Sequence, residues 1–114
     1  MRAAILTAVL FSAACARDPA QAVVLRVEAG ATGIRLQLRP TPGWRINALL
    51  PPAFEQADGS VVRFSADSVS ADSAYYLEPP SATLPGADRK LRGTLRASVC
   101  ADGEQVCRPY VHRL

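Results

Sequence analysis

The sequence predicts an all-β domain, an antiparallel β-sandwich, that follows an N-terminal export signal. Beyond the first sixteen residues, apolar and polar side chains alternate with period two over several short segments. Prolines and glycines separate these segments, and no part of the chain beyond the signal shows the 3.6-residue period of a helix. The 100 residues from Cys15 onward are enough for one domain with a two-layered core.

The first half of the domain is predicted from simple alternation. Residues 23–28 and 34–39 each place apolar side chains on one face, and the glycines of residues 30–33 favour a hairpin turn between them. The prolines of residues 40–43 end the second strand. Residues 44–54 contain further prolines that forbid a helix, so we expect an extended segment that lies along a sheet edge.

The second half is predicted in the same way. In chain order, we expect a turn at residues 58–59, a strand at 61–64, a surface loop at 65–74, a short strand at 75–78, a loop at 79–88, a long alternating strand at 91–99, a turn at 102–103 and a last strand from 106 to the end. The predicted core consists of Leu25, Val27, Ile34, Leu36, Leu38, Trp44, Phe64, Leu91, Leu95 and Val99.

Residues 1–14 have the order of a lipoprotein-type signal peptide. Arg2 precedes an apolar run that ends in small residues, and the run is too short to span a bilayer comfortably. The segment Ser12-Ala13-Ala14-Cys15 resembles a bacterial lipobox, which predicts a lipid on Cys15 and a tether over residues 15–22. A cut after Ala16 is the alternative. Both place the domain on the periplasmic side of a bacterial envelope.

The charge and the motifs of the chain indicate which partners and cofactors the sequence does not predict. The sequence carries 13 basic and 10 acidic residues, so the net charge is +3, and about +2 remains once Arg2 is removed with the signal. A charge this small does not predict binding to nucleic acid. The sequence contains no Gly-rich phosphate loop and no Ser/His/Asp arrangement, and we expect no cofactor.

The segment Cys100-Ala101-Asp102-Gly103-Glu104-Gln105-Val106-Cys107 carries the main candidate site. A two-residue loop at 102–103 would place Cys100 opposite Gln105. A four-residue loop from Asp102 to Gln105 would instead place Cys100 opposite Cys107, within disulfide range. The alternation puts Cys100 on the face of Arg92, Arg96 and Ser98, which we expect to be the wetter face and open to a partner.

Two other roles for these cysteines remain open at the level of the residues. Exported proteins use disulfides as structural staples, and an eight-residue loop would add about 2–3 kcal/mol of stability. A zinc site of Cys100, Cys107 and His112 is weaker, because it lacks a fourth ligand and the close cysteine spacing of zinc motifs.

Several segments together resemble a known family. The segments Pro42-Gly43-Trp44-Arg45-Ile46-Asn47 and Pro51-Pro52-Ala53-Phe54, and the run from Leu91 through Cys100 to Cys107-Arg108-Pro109, resemble the amino-terminal periplasmic domain of the thiol–disulfide interchange protein DsbD. The resemblance covers most of residues 23–114. It implies an immunoglobulin-like sandwich whose cysteine pair passes electrons between a membrane redox protein and thioredoxin-fold partners, with an aromatic cap loop for which Phe54, Tyr75 and Tyr76 are candidates.

Within this resemblance, we expect Cys107 to attack and Cys100 to resolve the mixed disulfide. The resemblance assigns partner contact to the second cysteine. The residues point the same way, because Arg108 and His112 follow Cys107, whereas Asp102 follows Cys100, and positive charge favours a thiolate. The rival prediction is a non-enzymatic envelope module for binding or assembly with a static disulfide. We also expect Trp44 to be buried between the sheets with its indole N–H hydrogen-bonded.

Overall fold

The computed structural model describes Ala4, residues 17–86 and residues 90–114. The predicted lipidation site Cys15 and, apart from Ala4, the predicted signal peptide lie outside the described residues. Among the residues described, no helix is long and apolar enough to cross a bilayer. The described part of the chain begins with a 3₁₀ turn at Pro19–Gln21, where the Asp18 carboxylate accepts a hydrogen bond from the Ala20 N–H at 3.0 Å.

Eight strands follow this turn. Their bounds are β1 Val23–Ala29, β2 Gly33–Pro40, β3 Trp44–Ile46, β4 Ala53–Gln56, β5 Val61–Arg63, β6 Ser81–Pro85, β7 Gly93–Ala101 and β8 Cys107–Arg113. The hairpin between β1 and β2 is closed by the Gly30 N–H, which donates to the Gly33 carbonyl at 2.8 Å. The turn at Asp58-Gly59 joins β4 to β5, as the sequence predicts.

The strands form two antiparallel sheets packed on each other, which confirms the predicted all-β antiparallel sandwich. One sheet has the order β1-β2-β6. In the other, β7 is central: β8 pairs with one of its edges, and β3 and β4 pair in succession along the other edge, with β5 beyond β4. The extended segment 44–54 therefore contains β3, which pairs with β7 alone and lies at the sheet edge as expected, and the start of β4, which lies between β7 and β5.

Strand register defines two faces of the five-stranded sheet. We call inner the face that packs on the other sheet; it carries Trp44, Ile46, Phe54, Leu95, Val99 and Tyr110. We call outer the opposite face; it carries Arg45, Ala53, Arg96, Ser98, Cys100, Cys107 and Pro109. The division follows from the alternation of side chains along a strand.

The core confirms most of the predicted residues and adds others. Ile34, Leu36, Leu38, Trp44, Phe64, Leu95 and Val99 are buried. Leu25 and Leu91 are only partly buried, and Val27 is 47% exposed because it lies near the open end of the edge strand β1. The core also contains Ala22, Ile46, Phe54, Ala82, Leu84 and Tyr110. Since Ala22 is fully buried, the predicted tether already takes part in the packing.

Two predictions for residues 75–88 are wrong. Residues 75–78 form no strand, since Tyr75 and Tyr76 make only isolated bridges to Asn47 and Val69. Residues 81–85, which we predicted as loop, form β6 and complete the three-stranded sheet. The alternation of β6 is short and lies between Pro80 and Pro85, so the local sequence favours a loop. Pairing with β2 provides the stabilisation of the strand.

Candidate functional site

The two cysteines form a disulfide at the end of the β7–β8 hairpin. Cys100 and Cys107 are directly opposite each other, their Cα atoms are 4.2 Å apart, and their sulfurs are bonded. The loop is thus longer than the minimal two-residue turn. The Glu104 N–H donates to the Ala101 carbonyl at 3.1 Å, and Gly103 has a φ of +79°, a left-handed conformation that glycine adopts without strain.

The two sulfur-bearing residues differ in exposure. Register places both on the outer face, as the alternation of β7 predicts. Cys100 itself is only 1% exposed, so the expected access to the pair from this face does not extend to Cys100. Cys107 is partly exposed. A partner that approaches the outer face therefore reaches Cys107 before it reaches Cys100.

Arg45 is the cross-strand neighbour of Cys100 on the side away from Cys107. The pairing of β3 with β7 places Arg45 directly opposite Cys100, so the outer face carries a row of Arg45, Cys100 and Cys107 across three strands. The Arg45 Nε lies 3.2 Å from an oxygen of Asp102. Its Cζ lies 4.0 Å from the centroid of the Tyr75 ring, a cation–π contact.

Tyr75 reaches this row from the 65–77 loop. Two backbone hydrogen bonds hold the loop to β3 and the residues that follow it: the Tyr76 N–H donates to the Ile46 carbonyl at 3.1 Å, and the Ala48 N–H donates to the Ala74 carbonyl at 2.8 Å. Within the loop, a hydrogen bond from the Ser70 hydroxyl lowers the pKa of Asp72, with further contributions from the Ala74 N–H and the positive charge of Arg45.

The structure corrects the charge argument for Cys107. Arg108 and His112 pair with Val99 and Leu95, so both belong to the inner parity of β8, opposite to the face of Cys107. The Arg108 guanidinium lies 3.8 Å from a carboxylate oxygen of Glu104. Residues next to each other on a strand point to opposite faces. The Arg108 side chain therefore points away from the face that carries Cys107.

A shallow apolar groove of about 360 Å³ lies beside Cys107 on the outer face. Leu50, Pro51, Ala53, Arg96, Ala97, Ser98, Cys107 and Pro109 line it. Leu50 is 64% exposed, and Val106, which precedes Cys107, is 68% exposed. The disulfide therefore lies at the border of an accessible apolar surface.

The three aromatic candidates for a cap loop differ in burial and in contacts. Phe54 is 1% exposed in the core, and Tyr76 packs against the core, where burial raises the pKa of its hydroxyl. Tyr75 contacts the row through the cation–π pair with Arg45. Trp44 is 8% exposed, which confirms its predicted burial, but the expected hydrogen bond from its indole N–H is not formed with any residue that the structure describes.

His112 pairs with Leu95, so its side chain is on the inner face of the sheet, opposite to the face that carries Cys100 and Cys107. Its ring stacks near that of Tyr110, with the centroids 6.4 Å apart. The residues that the structure describes include no group of three or more His, Cys, Asp or Glu side chains that could hold a metal. The three residues of the zinc alternative are thus not brought together.

Sequence analysis found the two cysteines but missed Arg45. The alternation of Trp44-Arg45-Ile46 indicates that Arg45 lies on a wet face. Its place beside Cys100 depends on the pairing of β3 with β7, which joins residues 55 positions apart, and no local pattern shows that pairing.

Comparison of the chain with family models, with curated proteins and with solved structures finds no match. The resemblance to the DsbD amino-terminal domain therefore stays a prediction. Any function proposed for the chain has to rest on the cysteine pair and its surroundings.

Proposed function

We propose that this domain exchanges thiols with a thioredoxin-fold or membrane redox protein of the cell envelope through Cys100 and Cys107. The observation that carries the proposal is the position of the disulfide. It lies on the outer face rather than between the sheets, and the partly exposed member of the pair is Cys107, next to the apolar groove. A disulfide that serves only as a staple does not need such access.

Cys107 is the cysteine that we assign to the mixed disulfide. In the reduced domain, the Cys107 thiolate attacks a partner disulfide and forms the intermolecular bond, and one partner sulfur leaves as a thiolate. The Cys100 thiolate then attacks Cys107 Sγ, closes the internal disulfide and releases the second partner sulfur. Two electrons and two protons pass to the partner, and the same steps run backwards when the partner is the reductant.

The rival function is a binding or assembly module with a static disulfide. The near-complete burial of Cys100 is the observation that favours it, because a buried cysteine is harder to reach and to ionise. The two functions differ in the reduction potential of the pair. Structural disulfides lie below about −300 mV, and exchanging disulfides lie higher.

A potential measured against a glutathione or dithiol buffer tests the proposal first. Trapping then tests the roles of the cysteines, in chains that also carry Cys15→Ala so that no third thiol remains. Cys100→Ser should accumulate a mixed disulfide with an oxidised thioredoxin-fold protein of the same envelope, and Cys107→Ser should not. A potential below about −300 mV together with no adduct from either variant would establish the static disulfide instead.

The envelope location and the anchor are a separate part of the proposal and rest on residues 1–15. Mass spectrometry of the mature protein should find Cys15 at the N-terminus with lipid attached. A soluble product that begins at Arg17 would show an ordinary signal-peptidase cut and would leave the thiol chemistry of the domain unaffected.

A further inference from the structure

Opening the disulfide at Cys107 requires Cys100 to leave as a thiolate, and its surroundings make that costly. Cys100 is 1% exposed, and removal from water disfavours the charged form of a thiol. A leaving thiol with a raised pKa leaves more slowly. Exchange through Cys107 therefore needs a positive charge close to Cys100.

Arg45 is the cation that the strand pairing brings to Cys100. Directly opposite residues of antiparallel strands have Cβ atoms about 4.5–5.5 Å apart. Arg96 shares the outer face but lies four residues along β7, roughly 13 Å away at the rise of a strand. Arg108 pairs with Val99 and lies on the other parity.

Two contacts hold the Arg45 side chain at this position. The Asp102 carboxylate pairs with its Nε at 3.2 Å, and the Tyr75 ring covers the guanidinium at 4.0 Å. Asp102 is two residues beyond Cys100, so a bare carboxylate there would oppose a thiolate. The ion pair with Arg45 offsets that negative charge, and the Tyr75 ring adds a contact that does not consume the positive charge.

We propose that Arg45 is a positioning residue that stabilises the thiolate of Cys100 when the Cys100–Cys107 bond opens. The inference rests on the proposed thiol exchange. An incoming thiolate attacks Cys107 Sγ and forms a new S–S bond, and the electron pair of the old bond remains on Cys100 Sγ. Arg45 is directly opposite Cys100 in the sheet, so its positive charge is close to the residue on which the negative charge develops. In the closing direction, the same cation raises the fraction of Cys100 present as thiolate.

Other charged groups at this end of the sheet define the field around Cys100. The carboxylates of Asp102 and Asp72 face Arg45, the first in an ion pair and the second across the 65–77 loop. The Arg17 guanidinium donates to the Gly43 carbonyl at 2.9 Å, and Glu104 and Arg108 form an ion pair in the hairpin. Arg45 is the cation among them that register places opposite Cys100.

The direct test measures the pKa of the Cys100 thiol in a full chain carrying Cys15→Ala and Cys107→Ser. The probe is iodoacetamide, whose alkylation rate follows the thiolate fraction as the pH is raised. Arg45→Gln should raise this pKa by roughly one unit, and Arg45→Lys should restore part of the shift. Asp102→Asn should lower it, because the opposing carboxylate is lost. Opposite signs at two partners of one ion pair are not expected from a general loss of packing.

Arg26 provides a matched control. It is also a strand arginine in an exposed ion pair, with its Nε 3.0 Å from Glu28, but it lies on β1 in the other sheet. Arg26→Gln should leave the pKa of Cys100 unchanged. An equal shift in the Arg26 and Arg45 variants would show a diffuse effect of net charge and would overturn the inference.

A second test uses the intact disulfide and dithiothreitol as reductant, with Cys15→Ala as background. Arg45→Gln should slow the opening of the bond roughly threefold, and Asp102→Asn should accelerate it. Tyr75→Phe keeps the ring and should match the parent, whereas Tyr75→Leu should slow reduction. If Arg45→Gln does not fold, Arg45→Lys and Asp102→Asn still test the proposal. Arg45→Lys should change the reduction rate less than loss of the positive charge would, and Asp102→Asn should increase the rate.

The two proposals fail in different ways. An unchanged Cys100 pKa and an unchanged dithiothreitol rate in Arg45→Gln and Asp102→Asn would overturn the role of Arg45, even if the domain exchanges thiols with protein partners. A shifted pKa with no exchange with any thioredoxin-fold protein would support the role of Arg45 in opening the bond and would remove the proposed function.

Discussion

The inner and outer faces of β7 bury their side chains in different ways. On the inner face, Leu95 and Val99 are fully buried because the three-stranded sheet packs over them. On the outer face, Arg96 is exposed and Ser98 is partly buried, yet Cys100 is 1% exposed although no second sheet covers it. On the outer face Cys100 lies between Arg45 of β3 and Cys107 of β8, to which its sulfur is bonded. The inner face stabilises the domain, whereas the outer face controls access to the disulfide.

The largest effect should come from an inner-face residue of β4. Phe54 is 1% exposed, so Phe54→Ala should lower the free energy of unfolding by about 3–5 kcal/mol, enough to unfold much of a domain this small. Glu55→Ala, on the exposed outer parity of the same strand, should change it by less than about 0.5 kcal/mol. Urea denaturation followed by tryptophan fluorescence measures both. Equal losses would remove the distinction between the faces.

Removal of the disulfide should have the next largest effect. Replacing both cysteines by alanine should cost about 2–3 kcal/mol, because the unfolded chain regains the freedom of the closed loop. Reduction of the native chain at the same denaturant concentration should give a similar loss. Retained binding of a partner by the double variant would favour the static module over thiol exchange.

A smaller effect is expected from the polar link between β3 and β7 on the outer face. The Asn47 Nδ2 donates to the Ser98 hydroxyl at 3.3 Å, and its Oδ1 accepts from the Leu49 N–H at 2.8 Å. Asn47→Ala should cost about 1–2 kcal/mol by thermal denaturation. Ser98→Ala removes only the first bond and should cost less, which separates the two contributions.

The smallest effect on stability should come from the groove. Leu50 is 64% exposed, so Leu50→Ser should change the unfolding free energy by less than about 0.5 kcal/mol. It should nevertheless slow thiol exchange with a protein partner several-fold while leaving reduction by dithiothreitol unchanged, because the small reductant does not use the groove. Equal slowing with both reductants would mean that the groove affects the disulfide itself.

Alternation was sufficient to predict the parts of the fold that depend on local pattern. Strands β1, β2 and β7 were recovered because each alternates over six residues or more and ends in turn residues. Strand β6 was missed because it directly follows Pro79-Pro80 and itself ends at Pro85, and only pairing with β2 identifies it. Predictions from local sequence therefore fail where long-range pairing provides the stabilisation.

The candidate site was predictable to the same degree. The spacing of Cys100 and Cys107 allowed their pairing, and one of the two loop lengths considered at the sequence level is the observed one. The choice of Arg108 as the activating cation was wrong because adjacency along a strand was taken as proximity. The exposure of Cys100 and the position of Arg45 depend on contacts with β3, whose distance along the chain hides them from any local pattern.

The Gly43 carbonyl links the start of the described domain to the cysteine hairpin. It accepts hydrogen bonds from the Asp102 N–H at 2.8 Å and from the Arg17 guanidinium at 2.9 Å, so the start of the described domain and the cysteine hairpin share one end of the sandwich. Cys15 precedes Arg17 by two residues, a reach of roughly 7 Å. We propose that, with the predicted lipid on Cys15, this end of the domain is held near the bilayer surface, where the proposed membrane redox partner would reach Cys107.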